Sequence, residues 1–130
     1  MSDLTFIKKE LTVLIIDDNE QITKMISTFL RLNNHKCIIA NDGEYGLEIL
    51  QKEQFNVILL DLAMPELDGY EILEKIRSSD KISKIIILTA SNITKENQQK
   101  FKEIGIKTIL QKPVDIDVLL EKITTISKYQ

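Results

Sequence analysis

The sequence contains a single cysteine, Cys37, and no apolar stretch that approaches the length of a membrane span. One cysteine excludes an internal disulfide bond, and the charged or amide residues that interrupt every hydrophobic run exclude a membrane-spanning helix. The first residues, 1–6, lack both the basic start and the long apolar segment of a signal peptide. These absences predict a cytoplasmic protein without a membrane partner.

Positive charge is also scarce: 17 lysines and arginines stand against 20 aspartates and glutamates, which gives a formal net charge of −3. This balance argues against direct binding of nucleic acid. Hydrophobic residues make up 43% of the chain and charged residues 28%, as in a folded globular protein. No internal repeat, low-complexity segment or linker divides it. We therefore predict one domain over residues 11–130, preceded by a lead segment over residues 1–10 and with no output domain attached.

Four short runs of valine, isoleucine, leucine and threonine each end in polar residues that can take part in chemistry. Residues 13–16 run into Asp17 and Asp18, residues 57–60 into Asp61, residues 85–88 into Thr89, and residues 108–111 into Lys112 and Pro113. Continuous apolar runs of this length are typical of strands that are buried on both faces of a parallel sheet.

Strand-like runs alternate with helical patterns along the chain. Asn19 is suited to cap the first helix, and Gly105 is suited to end the fourth. The first helix has one apolar face at three- and four-residue spacing, formed by Ile22, Met25, Ile26, Phe29 and Leu30. The predicted strands are 12–17, 36–40, 57–61, 84–89 and 108–111, and the predicted helices are 20–32, 43–52, 70–78, 94–104 and 116–128.

Five strand–helix units predict an α/β fold of three layers. Because right-handed crossovers with helices on both faces allow few strand orders, we expect a flavodoxin-like (βα)5 fold, a five-stranded parallel sheet in the order 2-1-3-4-5. Ligands bind such sheets outside the carboxyl ends of the strands, at the point where the order reverses. Asp17, Asp18 and Asp61 should meet there, with Thr89 and Lys112 on the neighbouring strands.

Three adjacent carboxylates repel one another, so the cluster calls for a cation, and magnesium prefers such hard oxygen ligands. We expect Asp18, Asp61 and the carbonyl oxygen of Ala63 to bind Mg²⁺ directly and Asp17 to act through a bound water; Mn²⁺ is a possible substitute. A carboxylate can also attack phosphorus to form an aspartyl phosphate, and Asp61, alone on its strand, is the best nucleophile.

The phosphoryl oxygens of such an adduct need partners of opposite charge or with donor groups. Magnesium would take one oxygen and Lys112 a second. The third phosphoryl oxygen would accept from the Thr89 hydroxyl and from a nearby backbone N–H, which we take to be that of Ala90.

The motifs Leu14-Ile15-Ile16-Asp17-Asp18, Leu59-Leu60-Asp61-Leu62-Ala63-Met64-Pro65-Glu66-Leu67-Asp68-Gly69, Leu88-Thr89-Ala90 and Lys112-Pro113 occur in this order. In this respect the sequence resembles the receiver domains of two-component response regulators, over residues 11–128. The resemblance implies that Asp61 is phosphorylated by a histidine kinase, that Asp17 and Asp18 bind magnesium, and that Thr89 and Lys112 hold the phosphoryl group. It also implies a cis peptide bond before Pro113.

One position departs from the family pattern. Three residues before the lysine, receiver domains commonly carry tyrosine or phenylalanine, whose ring turns inward as the threonine moves; here the residue is Ile109. We therefore expect loop and helix repositioning instead of ring rotation. A downstream protein should read the face built from residues 90–116.

The resemblance implies a phosphoacceptor module, which catalyses only its own phosphorylation and autodephosphorylation. Its upstream partner would be a sensor histidine kinase or a histidine phosphotransfer protein. The chain would be a single-domain response regulator or phosphorelay carrier; the alternative is a receiver domain cut from a larger regulator or hybrid kinase.

Three other functions compete. A phosphohydrolase with an aspartate nucleophile commonly has Asp-x-Asp, but Ala63 stands at the second position. A flavin-binding carrier needs a hydroxyl- and glycine-rich phosphate loop after the first strand, where this chain has Asp17 and Asp18. A phosphorylation-independent interaction domain is disfavoured by the intact acidic cluster.

Other polar residues have ordinary structural interpretations. We predict that Asp68 and Gly69 form a turn before a helix, and that His35 is exposed in a turn and takes no part in phosphotransfer. Cys37 is predicted to be a small buried or edge residue, and the charged run 95–102 a solvated helix face.

Overall fold

The computed structural model describes residues 9–128, and five strands alternate with five helices along this part of the chain. The strands are β1 (Thr12–Ile16), β2 (Lys36–Ala40), β3 (Val57–Asp61), β4 (Ile85–Thr89) and β5 (Thr108–Gln111). The helices are α1 (Glu20–Leu32), α2 (Gly43–Lys52), α3 (Gly69–Ile76), α4 (Lys95–Ile104) and α5 (Ile116–Ser127). The predicted α/β class and the alternation of elements are confirmed.

The strands form one parallel sheet in the order β2-β1-β3-β4-β5, as predicted. The side chains of β3 and β4 are buried throughout, which explains why their sequences are continuous apolar runs instead of alternating patterns. Two clusters of buried apolar side chains lie on the two faces of the sheet, one led by Leu14, Ile58 and Ile87 and the other by Ile15, Leu59 and Ile86. This is the three-layer arrangement.

Local capping sets several helix ends. The Asn19 side chain accepts a hydrogen bond from the Ile22 backbone N–H at the start of α1. Asp68 and Glu71 form a reciprocal capping box at the start of α3. Gly105 ends α4 in the left-handed conformation, with φ of 105°. The predicted roles of Asn19, Gly105 and the turn before α3 are confirmed.

Several element boundaries differ from the prediction by one residue, and one differs by two: helix α3 ends at Ile76 instead of residue 78. In addition, a short 3₁₀ helix that was not predicted, Asp80–Lys84, precedes β4. The Ser79 side chain starts this turn by accepting from the Lys81 backbone N–H, and Ile82 anchors it in the core. A five-residue segment with one apolar anchor carries no helical periodicity that could reveal it.

The buried face of α1 also differs in part. Met25, which was predicted on the apolar face, is 46% exposed, whereas Thr23 and Ser27 are buried beside Ile26. The two hydroxyls donate to the carbonyl oxygens of Glu20 and Lys24, and the Thr23 hydroxyl also accepts from the Asn41 side chain, so both are satisfied although they are buried. A prediction from hydrophobicity alone therefore places Met25 on the buried face of α1 and overlooks these two small hydroxyl residues.

The prediction that His35 is exposed is wrong. Its side chain is 7% exposed, and its Nδ1 accepts a hydrogen bond of 3.1 Å from the Leu11 backbone N–H. The preceding Asn34 has φ of 67°, and this left-handed residue turns the chain inward after α1. His35 thus joins the start of β1 to the loop before β2.

The predicted lead segment, residues 1–10, lies mostly outside the described residues; of it, Lys9 and Glu10 are exposed and non-regular. Within residues 9–128, no helix combines the length and the apolar character that crossing a membrane requires.

Candidate functional site

The three predicted aspartates lie together at the carboxyl edge of the sheet. Asp61 is the last residue of β3, and Asp17 and Asp18 follow β1, which pairs with β3 through Ile16 and Leu60. One carboxylate oxygen from each aspartate lies within 4.8 Å of the other two. Asp17 is fully buried, Asp61 is 3% exposed, and Asp18 is exposed. The cluster therefore has a buried interior and one open side.

Lys112 reaches this cluster from the end of β5. Its Nζ lies 2.7 Å from Asp17 Oδ2 and 3.6 Å from Asp61 Oδ1, and the lysine side chain is only 13% exposed. The Lys112 backbone N–H donates to the Thr89 carbonyl oxygen over 2.7 Å, and the Lys112–Pro113 peptide is cis, as the resemblance implied. One ammonium thus faces two buried carboxylates.

The backbone around Asp17 is held in place from three sides. The Asp17 N–H donates to the Ala40 carbonyl, the Asn41 side chain donates to the Asp17 carbonyl over 2.9 Å, and the Asn19 N–H donates to Asp17 Oδ1 over 2.9 Å. Sequence reasoning missed Asn41. Its signal was the same as for the other site residues, since it is the polar residue that directly follows strand β2.

Asp17 Oδ2 is a buried oxygen for which no hydrogen-bond partner is found among the described residues. Lys112 Nζ lies 2.7 Å away as an ion-pair partner, but this oxygen accepts no hydrogen bond. A buried carboxylate oxygen without a hydrogen bond can take a further cation or donor.

The pKa of the Asp61 carboxyl group also indicates that the site holds more negative than positive charge. Burial, followed by the neighbouring Asp17 carboxylate, raises the pKa of Asp61 to about 6, and Asp18 adds to this rise. The Lys112 ammonium and the Ala63 backbone N–H oppose the rise but do not cancel it. An added cation would favour the ionised, nucleophilic form of Asp61.

Thr89 ends β4, next to β3, and is buried. Its Oγ1 accepts from the Ser91 N–H over 3.1 Å and donates to the Ser91 carbonyl oxygen over 3.3 Å. The hydroxyl is therefore engaged with the loop after β4. Ala90 lies exposed at the start of that loop, and Ile109 on β5 is partly buried.

The loop after β3 folds back tightly on the acceptor strand. The Gly69 N–H donates to the Leu62 carbonyl over 3.0 Å. A Cβ atom at position 69 would lie 2.4 Å from the Asp61 carbonyl oxygen and 2.7 Å from Leu62 Cα, closer than such atoms can approach. Glycine is thus required for the loop to return past Asp61. Ala63 is exposed on this loop, and its N–H donates to Asp61 Oδ1 over 3.4 Å.

The donor set fits a divalent, oxygen-preferring cation. Three carboxylates, one of them with a buried oxygen that accepts no hydrogen bond, supply hard ligands of the kind that magnesium selects. Their net charge with Lys112 is negative, so a cation would also relieve the repulsion that raises the pKa of Asp61. The acidic cluster can therefore hold a metal ion.

Comparison with known proteins agrees with this geometry. The profile of the response regulator receiver domain matches residues 13–124. Sensor histidine kinase RcsC of Escherichia coli K12 is 31% identical over 115 residues, which cover 88% of this chain and 12% of RcsC. The probable transcriptional regulator ycf29 of Porphyra purpurea is 33% identical over 113 residues, covering 85% of this chain and 54% of that protein. The chain thus spans only part of the length of these relatives.

Solved structures show the same architecture. The receiver domain of Francisella response regulator 1452 superposes with a TM-score of 0.83 at 30% identity, covering 92% of this chain and 98% of that one. Vibrio cholerae chemotaxis protein CheY4 superposes with a TM-score of 0.79 at 29% identity, covering 91% of this chain and 99% of that one.

The chain therefore belongs to the response regulator receiver domain family. Receiver domains are signalling modules of two-component systems, not enzymes in the usual sense, and they interact with histidine kinases or phosphotransfer proteins. This membership decides against the phosphohydrolase and the flavin carrier.

Proposed function

We propose that Asp61 accepts a phosphoryl group from the phosphohistidine of a sensor histidine kinase or histidine phosphotransfer protein. The observation that carries this proposal is the convergence of Asp17, Asp18 and Asp61 within 4.8 Å at the sheet edge, facing the Lys112 ammonium. Lys112 lies near both Asp17 and Asp61, and Asp61 is the one of the two that also accepts from the Ala63 N–H, on a loop whose Ala63 is exposed to solvent.

In the transfer step, an Asp61 carboxylate oxygen forms a bond to phosphorus while the phosphorus–nitrogen bond of phosphohistidine breaks. The bonding electrons leave with the imidazole, which takes up a proton, and an acyl phosphate remains on Asp61. Hydrolysis by water at phosphorus would release inorganic phosphate and restore the carboxylate; this is the autodephosphorylation that we propose for the domain.

Asp18, Asp61 and the Ala63 carbonyl oxygen would hold Mg²⁺ directly, and Asp17 would hold it through water. The metal supplies positive charge to the phosphoryl oxygens, and Mn²⁺, another hard cation, would substitute. Lys112 moves no proton in this scheme; its ammonium neutralises a phosphoryl oxygen and stays close to Asp17. The contacts from the Asn19 backbone N–H, the Ala40 carbonyl and the Asn41 side chain keep Asp17 oriented toward the centre.

The phosphoryl group would act on the rest of the domain through Thr89. For its hydroxyl to donate to a phosphoryl oxygen, its hydrogen bond to the Ser91 carbonyl must break. The loop that begins at Ala90 then rearranges, and the Ala90 backbone N–H becomes a further phosphoryl donor. Because Ile109 replaces the usual aromatic residue, we propose that loop and helix movement carry the signal to a downstream protein on residues 90–116.

We further propose that residues 11–130 act as one receiver domain in the cytoplasm, without direct nucleic acid contact. A regulator of its own and a receiver within a larger regulator or hybrid kinase would both contain such a domain; the match to part of RcsC, whose own name describes a sensor histidine kinase, supports the second arrangement.

The test of the acceptor is phosphorylation by acetyl phosphate with magnesium, followed by intact-mass measurement. We expect one phosphoryl group on the wild type, removed by hydroxylamine as an acyl phosphate must be, and none on Asp61→Asn. Asp80→Asn, an exposed aspartate before β4, is the matched control and should be modified normally. A phosphoryl group that persists on Asp61→Asn, or that maps to His35, would contradict the assignment.

Transmission of the signal is tested by amide NMR with beryllofluoride as the phosphoryl mimic. We expect shifts in the loops after Asp17 and Asp61 and, beyond them, across residues 90–116. If residues 90–116 stay unchanged while the site loops respond, the phosphoryl group binds but its effect does not reach that face.

A further inference from the structure

Asp17 and Asp18 are held at the site in different ways. The Asp17 carboxylate has direct contacts, because its Oδ1 accepts from the Asn19 backbone N–H over 2.9 Å and its Oδ2 pairs with Lys112 Nζ over 2.7 Å. The Asp18 side chain is exposed, and within residues 9–128 it makes no hydrogen bond or ion pair. The position of the Asp18 carboxylate therefore depends on the backbone that carries it.

That backbone is held by the side chain of Asn41, the residue that follows β2. The Asn41 Nδ2 donates to the Asp17 carbonyl oxygen over 2.9 Å. This carbonyl belongs to the peptide bond between Asp17 and Asp18. Because a peptide unit is planar, a contact that fixes its oxygen also fixes the place of the Asp18 Cα at its other end. A side chain from β2 thus sets the orientation of the peptide that carries Asp18.

The Asn41 amide is itself anchored to the first turn of α1. Its Nδ2 also donates to Thr23 Oγ1 over 3.3 Å, and this hydroxyl donates in turn to the Glu20 carbonyl oxygen over 3.1 Å. An amide NH2 group has two hydrogens and can serve both acceptors. The amide oxygen could serve neither, because a carbonyl has no proton to give and the Thr23 hydroxyl already donates its own. The geometry therefore requires two donors on one atom, which asparagine supplies.

We propose that Asn41 is a positioning residue for the metal site and that it acts through Asp18. By tying the Asp17–Asp18 peptide to α1, it presents the Asp18 carboxylate to the cation beside Asp61, so that little ordering of the backbone remains when the ion binds. Asn41 itself touches neither the ion nor the phosphoryl group. This inference deepens the proposed function and rests on it for the role of Asp18 as a direct Mg²⁺ ligand.

The test measures the Kd of Mg²⁺ by amide NMR titration of the metal-free protein. Asn41→Leu keeps the approximate size of the side chain and removes both donors, and we expect it to raise Kd about three- to tenfold, the loss expected for a net hydrogen bond. Asn33→Leu is the matched control and should leave Kd unchanged. Asn33 is also half-buried, and its Nδ2 also donates over 2.9 Å to a backbone carbonyl, that of Phe29, but at the other end of α1.

Two further readouts separate positioning from a merely structural role. In metal-free Asn41→Leu the backbone order parameter of the Asp18 amide should fall, and it should recover at saturating Mg²⁺. Thr23→Val removes the anchoring hydroxyl and keeps its shape, so it should raise Kd by a smaller factor than Asn41→Leu. In the Asn41→Leu background it should add nothing, because the chain of hydrogen bonds is already broken there.

A wild-type Kd in Asn41→Leu, an equal rise in Asn33→Leu, an unchanged Asp18 order parameter, or an additive effect of Thr23→Val would each overturn the proposal. Should Asn41→Leu fail to fold, the Kd of Thr23→Val decides, and a wild-type value there overturns it.

Failure of the proposed function is recognised separately. If acetyl phosphate leaves Asp61 unmodified while Asn41→Leu still weakens magnesium binding, the acceptor assignment fails and the positioning role stands. If Asp61 is modified and Asn41→Leu binds magnesium like the wild type, the positioning role alone fails. A wild-type protein that binds no Mg²⁺ would overturn the positioning role together with the metal site.

Discussion

At the scale of single residues, charge balance dominates the site. Three carboxylates lie within 4.8 Å of one another and one ammonium faces two of them, and the buried Asp61 has a pKa raised to about 6, first by burial and then by Asp17. A carboxyl group whose pKa is higher in the folded than in the unfolded state stabilises the fold below its unfolded pKa, and this contribution is lost as pH rises through the folded value. The metal-free domain should therefore lose stability between about pH 4 and pH 6.

Asp61→Asn removes this ionisation, so in the presence of a metal chelator it should be more stable than the wild type at pH 7.5. We expect a gain on the order of 1 kcal/mol in the free energy of unfolding, allowing for partial solvent screening, which shrinks as pH falls toward 4. Urea unfolding at a series of pH values measures it. Asp80→Asn should show no such pH-dependent gain, and a destabilised Asp61→Asn at neutral pH would contradict the charge argument.

Whether the role of a residue could be predicted from the sequence depends on where its contact partners lie along the chain. Asp17, Asp61, Thr89 and Lys112 were predictable because each stands at the end of a strand-length apolar run in the sequence, and the carboxyl ends of parallel strands share one edge. The burial of His35 was not predictable, because its hydrogen-bond partner Leu11 lies 24 residues earlier in the chain. The left-handed Asn34, which directs His35 inward, also leaves no periodic signal in the sequence.

At the scale of helices and strands, local chemistry was the reliable guide. The cap at Asn19 and the stop at Gly105 depend on neighbouring residues, so the sequence alone identified them. The 3₁₀ helix before β4 depends on one side-chain contact from Ser79 and on the burial of Ile82 against distant elements. Its existence could not be predicted from local pattern.

Gly69 is the first residue of α3, and it lies against the backbone of Asp61 and Leu62 at the site. Gly69→Ala would press a methyl group against the Asp61 and Leu62 backbone, so either the loop or the end of β3 must move. We expect a loss of about 1–3 kcal/mol in stability, as for overpacked sites, and slower phosphorylation by acetyl phosphate. Urea unfolding and the rate of mass change measure the two effects.

Gly105→Ala is the control for that substitution. It also places alanine at a positive φ, where the new Cβ would lie 3.3 Å from an Ile82 methyl carbon, and it should lower stability by about 1 kcal/mol. Because Gly105 ends α4 at the far side of that helix from Thr94, phosphorylation should keep its normal rate. If Gly69→Ala behaves like this control, the loop after β3 has more room than its geometry indicates.

At the scale of the whole molecule, the strand order places β1 beside β3. It thereby brings Asp17 and Asp61 together, although 43 residues lie between them in the sequence. The order was predictable because right-handed crossovers allow few alternatives. A pocket of about 520 Å³ between α4 and β5 could not be predicted, because its volume depends on side-chain packing between elements, which the strand order alone does not determine.

Magnesium should stabilise the whole domain, because an ion that binds only the folded cluster shifts the folding equilibrium by mass action. At a magnesium concentration tenfold above Kd the gain is about 1.4 kcal/mol, or a few degrees in Tm. Thermal unfolding against magnesium concentration measures it. Asp18→Asn should weaken the response and Asp115→Asn, the cap of α5, should leave it intact; a Tm indifferent to magnesium would count against the metal site.

The position of Lys112 on the last strand has a consequence for synthesis. During translation, β1 and β3 leave the ribosome well before β5, so the aspartates are made long before the ammonium that faces them. A nascent chain that ends before β5 holds its carboxylates without their counter-charge and without the Thr89–Lys112 backbone contact that closes this edge of the sheet. An incomplete chain should therefore be a poor phosphate acceptor, which confines signalling to molecules whose synthesis has passed the final strand.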